Sequence, residues 1–299
     1  MINGWPKLKL KKKTIMRQIG FDKKFTLLAQ EAHLTKNTIL SGFDLLLKAN
    51  YFQDKEGYFY SSFFHISIGV ERLMKLAVIT HYMLNNNYST PTIKQLKKQF
   101  GHDVQSLYDE CMALMPVYHP DRTKQPRLDT LDQSLIEFFA DYATNSRYFN
   151  LNEVCEAKMD RSPLDKWREL AFEVYECHTS YQVRERCALG LLYKMDRAGQ
   201  QNGFTSHLNE AGHPMTVFDC LHRQYVIEKS APLVIWRLVE AMRPIHFLLE
   251  SMAEKAGEYE LSRGERAMTI PHYEDFFYFL LADKATIKRR KKWLDIFNS

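Results

Sequence analysis

The sequence predicts an all-α protein. Three observations carry that expectation: Gly and Pro are scarce at 12 and 10 of 299 residues, strand-like alternation is hard to find, and apolar residues recur at three- and four-residue steps. Apolar residues make up 45% and aromatics 13% of the chain, enough side-chain surface to build a large core.

The first helical pattern covers Phe21–His33 and Asn37–Asn50. Phe59, Phe63, Ile66, Val70, Leu73, Ala77, Thr80 and Leu84 then define one long amphipathic helix from about Tyr58 to Tyr82. Thr90-Pro91 places a capping hydroxyl before a proline, the signature of a new helix start, and that helix runs to Phe100. Gly101 supplies a left-handed stop. A further helix covers Asp103–Leu114, and Pro116, Pro120 and Pro126 form a loop. Leu128, Leu131, Leu135, Phe138 and Tyr142 mark the next helix, which ends near Asn145.

Asn150–Arg161 is polar and aperiodic, so a domain boundary is expected there, dividing the chain into 1–150 and 151–299. Ser162-Pro163-Leu164-Asp165 reopens helical structure with a capping pattern. One long helix is expected from there, carrying Trp167, Leu170 and Val174 and later Leu189 and Leu192. Gly199, Gly203, Gly212 and Pro214 interrupt it. Three helical segments follow, at about Thr216–Lys229, Pro232–Lys255 with a kink at Pro244, and Pro271–Phe297 with a break near Lys284. The second stretch reads either as its own domain or as an extension of the first core.

Composition excludes several function classes. No apolar run approaches the roughly 20 residues of a membrane helix, and the basic opening Met1–Lys13 lacks the apolar core of a secretory signal. Five scattered cysteines without a Cys-x-x-Cys fit reduced thiols, so a cytoplasmic location without membrane contact is expected. No phosphate-loop, dinucleotide or Gly-x-Ser-x-Gly signature is present. His207, His213, Cys220 and His222 lack a tight ligand rhythm, so no metal and no other cofactor is expected.

The net charge of +5 is uneven. Lys7 to Arg17 form one basic cluster, and Lys284, Lys288, Arg289, Arg290, Lys291 and Lys292 another. Such runs either bind phosphate backbones or simply form solvated helix ends.

Three short motifs stand in order: Gly69-Val70-Glu71-Arg72-Leu73-Met74-Lys75 on the long helix, Gly101-His102-Asp103 with Leu107 at a helix start, and Arg147-Tyr148 after the next helix. In this order they resemble the HEPN superfamily, antiparallel helical bundles of prokaryotic toxin–antitoxin and defence systems. The resemblance covers Tyr58–Tyr148. It implies either a metal-independent RNase or a non-catalytic module that binds RNA, nucleotide or a protein partner, and it implies a homodimer. The family's RNases use an Arg and a His four to six residues apart. Here no histidine follows Arg147 until His178, and the literal match Arg266 to His272 encloses Pro271.

The residues expected to carry a site are therefore His102 and Arg147, with Asp103, Glu71, Arg72 and Tyr148 around them. Histidine is the side chain suited to give or take a proton near neutrality, and His102 sits at a helix start that favours anions. Arg147 offers a forked cation for phosphate or carboxylate, or else pairs internally with Glu71 or Asp103. Glu71 and Lys75 share a helix face and form either an exposed ion pair or part of a polar site. The leading expectation is a binding module. A diverged RNase, in which His102 and Arg147 meet across helices, is the second reading, and a ligand-free structural protein the third.

Overall fold

The structure, a computed structural model, describes residues 20–51, 55–99, 101–120, 129–155, 161–200, 203–208 and 212–294. The N-terminal basic cluster and the loop around Pro126 lie outside these residues. The described chain is all-α, with eleven α-helices and one two-stranded sheet.

Helix α1 (Lys23–Leu46) starts at Asp22, whose carboxylate accepts the Phe25 N–H at 2.8 Å. It is one helix where the sequence suggested two segments. The run between them stays helical because Ala32, Thr35 and Ile39 are fully buried along it, so packing outweighs local preference. Helix α2 (Gly57–Asn85) packs along α1 at very short range. A Cβ on Gly69 would lie 2.4 Å from Ile39 Cγ1 and 3.1 Å from Ile39 N. A Cβ on Gly42 would meet Ile66 in the same way. The Ser62 hydroxyl donates to Gly42 O at 2.8 Å across this contact.

Helix α3 (Ile93–Gln99) begins two residues later than Thr90-Pro91 suggested. Thr92 is the cap: its hydroxyl accepts the Gln95 N–H, and Gln95 Oε1 accepts the Thr92 N–H at 2.7 Å, a reciprocal capping box. Gly101 takes the expected left-handed conformation, with φ 55°. Helix α4 (Val104–Tyr118) runs through Pro116, expected in a loop, because Met115 before it and Tyr118 after it both face the core. Helix α5 (Thr130–Thr144) leads into a 3-10 turn at Ser146–Tyr148 and the short α6 (Phe149–Val154).

The expected long helix after Ser162 is two helices, α7 (Pro163–His178) and α8 (Tyr181–Arg197). Thr179 is extended between them, at φ −124° and ψ 123°. A hairpin of β1 (Phe204–Leu208) and β2 (Pro214–Thr216) follows, antiparallel with Phe204 opposite Thr216. Strands of five and three residues are too short to display alternation in sequence.

Helix α9 (Val217–Arg263) is continuous over 47 residues, where the sequence suggested separate segments. Pro232 and Pro244 each remove one backbone hydrogen bond. Burial of Leu233, Val234, Leu238, Ile245 and Leu248 on both sides of them keeps the helix in one piece. It ends at Gly264, φ 69°, with Glu265 N–H bonded to Glu260 O in a Schellman closure.

The final helical stretch does break near Lys284: its first part is α10 (Glu274–Phe277) and a 3-10 turn at Tyr278–Leu281, and its second is α11 (Lys284–Arg289). Phe277, Phe279 and Leu280 are all buried, a spacing that one regular helix face cannot satisfy. Asp283 then recaps the chain by accepting the Thr286 N–H.

Apolar side chains from both sides of Asn150–Arg161 belong to one continuous core. Phe63 on α2 sits among Phe138, Tyr142 and Trp167, with ring centres 4.9–5.4 Å apart. Tyr108 donates to Ala241 O and Thr80 bonds Tyr273, so α9 and the C-terminal segment close over α2 and α4.

The α1–α2 contact gives a direct test. Ala is a better helix former than Gly by about 1 kcal/mol, and Gly190 on α8 has open space around it. Gly190→Ala is expected to raise stability by that amount. Gly69→Ala is expected to lower it by about 1–3 kcal/mol through overpacking. Urea unfolding of both variants checks the opposite signs.

Candidate functional site

Helix α2 buries Glu71, which is only 8% exposed. A carboxylate in such a position needs bonded cations or donors. Lys75, one turn on, donates to Glu71 Oε1 at 2.5 Å and to Gly101 O at 2.7 Å. His102 supplies the second partner, with Nδ1 3.1 and 3.2 Å from the two carboxylate oxygens. The left-handed turn at Gly101 is thus tied to α2 through one buried carboxylate. The His102 side chain is otherwise open to solvent, 68% exposed. With Nδ1–H donated to Glu71, the Nε2 edge is left for a ligand.

Asp103 faces its own helix. Its two oxygens accept Ser106 N–H at 2.9 Å and Ser106 Oγ–H at 2.6 Å. Those hydrogen bonds hold its carboxyl below the ordinary range. Arg72 points about 100° round α2 from Glu71 and makes a bidentate pair with Glu31 of α1, at 2.6 and 3.0 Å. Its hydrogen bonds go to Glu31 rather than to the Glu71 cluster.

Arg147 and Tyr148 lie on the 3-10 turn after α5, both exposed, with the guanidinium carbon 5.0 Å from the tyrosine ring centre. Helix α5 runs antiparallel to α2: Ser67 Oγ donates to Phe139 O, and Tyr142 Oη donates to Tyr60 O. Arg147, just past Tyr142, therefore sits at the N-terminal end of α2. The rise along the helix from Tyr60 to Glu71 is about 16 Å. The fold brings together Glu71, Lys75 and His102, and keeps Arg147 apart from them. Neither of the internal partners considered for Arg147, Glu71 or Asp103, is bonded to it.

A second buried polar cluster escaped sequence reasoning. Arg237 on α9 is ion-paired with Asp129 and, at 2.7 Å, with Asp132, both at the start of α5. Burial pushes the Asp132 carboxyl up to about 6, with Arg237 opposing that shift. Beside this triad the Lys284 ammonium lies 3.8 Å from the Trp236 ring centre, and His178 meets the same ring edge-on at 4.9 Å. Burial, followed by Lys284 and Arg237, holds His178 below its ordinary value. One signal for the triad was legible: an arginine within the apolar run Leu233–Leu238 needs an anionic partner.

An open cleft of about 580 Å³ lies between α7, the hairpin and the start of α9, lined among others by Arg168, Phe172, Met215, His222 and Arg223. It adjoins a hollow of about 230 Å³ through Arg168, Met215 and Arg223. Two of its lining charges are paired with residues outside it, Arg168 with Asp165 at 2.9 Å and Glu169 with Arg161.

Other candidate chemistry is absent from the geometry. His207 lies on β1 while Cys220 and His222 lie on α9, and no three His, Cys, Asp or Glu side chains among the described residues are grouped to hold a metal. Burial pushes the Cys111 thiol up to about 12, away from thiolate chemistry. Ser251 Oγ is 2.6 Å from His119 Nε2, but Ser251 is buried and that nitrogen also meets Phe247 O. No described helix is long and apolar enough to cross a membrane. Comparison with protein-family models, curated proteins and solved structures finds no match for this chain.

The cluster predicts unequal costs for its members. Glu71→Ala leaves Lys75 and His102 without their shared acceptor and should cost about 1–3 kcal/mol. His102→Ala removes an exposed side chain and should stay within about 0.5 kcal/mol of the parent. Denaturant unfolding of both variants measures the difference; equal costs would remove Glu71 as the buried anchor.

Proposed function

We propose that this chain is a non-catalytic, HEPN-like helical module that binds RNA in the cytoplasm, in a prokaryotic defence or toxin–antitoxin setting and as a homodimer. The observation that carries the non-catalytic part is the separation of Arg147 from His102. Metal-independent RNA cleavage needs a proton-transfer group and a cation at one phosphate, and about 16 Å of helix rise is too far for one phosphate to meet both within a chain. Binding tolerates such spacing, because successive phosphates of one strand can meet successive cations. The exposed groups fit that role. Arg147 over Tyr148 joins a phosphate-binding fork to a stacking surface, and His102 stands at the start of the 15-residue helix α4, which favours an anion.

One arrangement favours a second reading. Glu71 orients His102 by its Nδ1 and leaves Nε2 outward, the way a carboxylate presents a general base, with Lys75 on the same carboxylate as a nearby cation. In that reading the chain is a diverged RNase whose cation is Lys75 rather than Arg147.

A single experiment separates them. The purified protein is incubated with total RNA and tRNA without metal and resolved on a denaturing gel beside His102→Ala and Arg147→Ala. The module reading expects an unchanged RNA pattern in all three samples and retention of RNA in a native gel. Discrete cleavage lost in His102→Ala and kept in Arg147→Ala would establish the second reading instead.

A further inference from the structure

We infer that the C-terminal segment Lys284–Lys292 is a preformed docking surface for the phosphodiester backbone of a nucleic acid. This inference rests on the reading of the chain as an RNA-binding module, but it assigns the main contact to a part of the chain outside the HEPN-like motifs.

Six of the nine residues from Lys284 to Lys292 are cationic and none is acidic. The segment is short on helix, yet it is firmly held. Ile287 and Trp293 are each 1% exposed. Asp44 of α1 accepts the backbone N–H groups of Trp293 and Leu294 at 2.6 and 3.2 Å. Just before the segment, Arg243 of α9 donates to Leu280 O and Ala282 O, each at 2.9 Å. Two of the six cations are committed to aromatic rings: Lys284 over Trp236 at 3.8 Å and Arg290 over Trp293 at 4.5 Å.

The other four, Lys288, Arg289, Lys291 and Lys292, are exposed. None of them forms an ion pair among the described residues. Lys288 and Arg289 end α11, where the helix dipole accounts for a cation. Lys291 and Lys292 lie beyond the helix, where it does not. Four like charges held within a few residues make a concentrated positive surface, which attracts a dense external anion. A nucleic acid supplies one, with a charge every ~1.7 Å of duplex axis. Because buried Ile287 and Trp293 already fix the backbone, little chain entropy remains to be lost on binding.

The surface fits a nucleic acid better than an anionic bilayer. Interfacial membrane anchors insert aromatic or leucine-rich faces of a helix between headgroups. Here α11 has six residues, its Ile287 faces inward, and the two nearby tryptophans are turned into the protein or covered by Lys284.

The test uses the full chain and a combined variant, Lys288→Ala, Arg289→Ala, Lys291→Ala and Lys292→Ala, with unchanged thermal unfolding as the check that both are folded. A second variant keeps the charge (Lys288→Arg, Lys291→Arg, Lys292→Arg). Binding of a short single-stranded RNA, an RNA duplex, a DNA duplex and phosphatidylserine-containing vesicles is followed by fluorescence anisotropy or co-sedimentation between about 50 and 200 mM salt. For single-stranded RNA, each lost phosphate contact lowers the slope of log K against log salt by about 0.7, so the alanine variant should lose about 2.8. Its affinity in the middle of that range should fall at least about tenfold, with the arginine variant close to the parent. Parent and alanine variant binding RNA equally would overturn the surface while leaving the module reading in place. Failure of the parent to bind any nucleic acid would overturn both. Binding to vesicles alone would replace the nucleic acid by an anionic membrane and overturn the inference as stated.

Discussion

The structure depends on the burial of α2. This helix is buried around most of its circumference, covered by α1, α4, α5 and α9. Its exposed and half-buried residues, among them Tyr58, Ser61, His65, Arg72 and Lys75, form one narrow stripe, so neighbouring helices must form a sheath over the rest. Gly42 and Gly69 let α1 approach to backbone contact, and Ser62 and Ser67 donate their hydroxyls to carbonyls of the flanking helices. The candidate site follows from the same constraint. Glu71 is carried into the sheath by its place on α2, and its charge then requires Lys75 and His102.

Burial also sorts the charged residues. Glu71 and Arg237 are each enclosed and each doubly paired, Glu71 by Lys75 and His102, Arg237 by Asp129 and Asp132. The exposed cations after Ile287 have no such partners among the described residues. Buried charges left unpaired are expensive, and exposed ones are cheap. Exposed cations therefore cost the fold little and remain available to an external anion.

Much of this was legible in the sequence. The three- and four-residue steps from Phe59 to Leu84 reported α2, because a buried helix repeats its contacts along its whole length. Ser162-Pro163 and Asp103 reported helix starts, because a cap is a local hydrogen bond between residues two or three apart. The pairing of Glu71 with Lys75 was legible for the same reason. What failed depends on contacts distant in sequence. Arg72 belongs to Glu31 rather than to the site, which follows only once α1 lies beside α2. The antiparallel course of α5 beside α2 separates Arg147 from His102, and no spacing rule encodes it. Pro232 and Pro244 read as breaks because their local preference is strong, yet packing on both sides of α9 outweighs it. The hairpin and the extended residue at Thr179 were too short to leave a periodic signal.

Amide hydrogen exchange of the free protein tests this dependence on α2 most directly. If one core is organised around α2, the slowest amides of α2 and those of central α9, around Val234–Leu249, should exchange together, at the free energy of global unfolding. Protection of α2 persisting while central α9 opens at a clearly lower free energy would contradict it, since α9 would then be a separate unit resting on an already complete bundle.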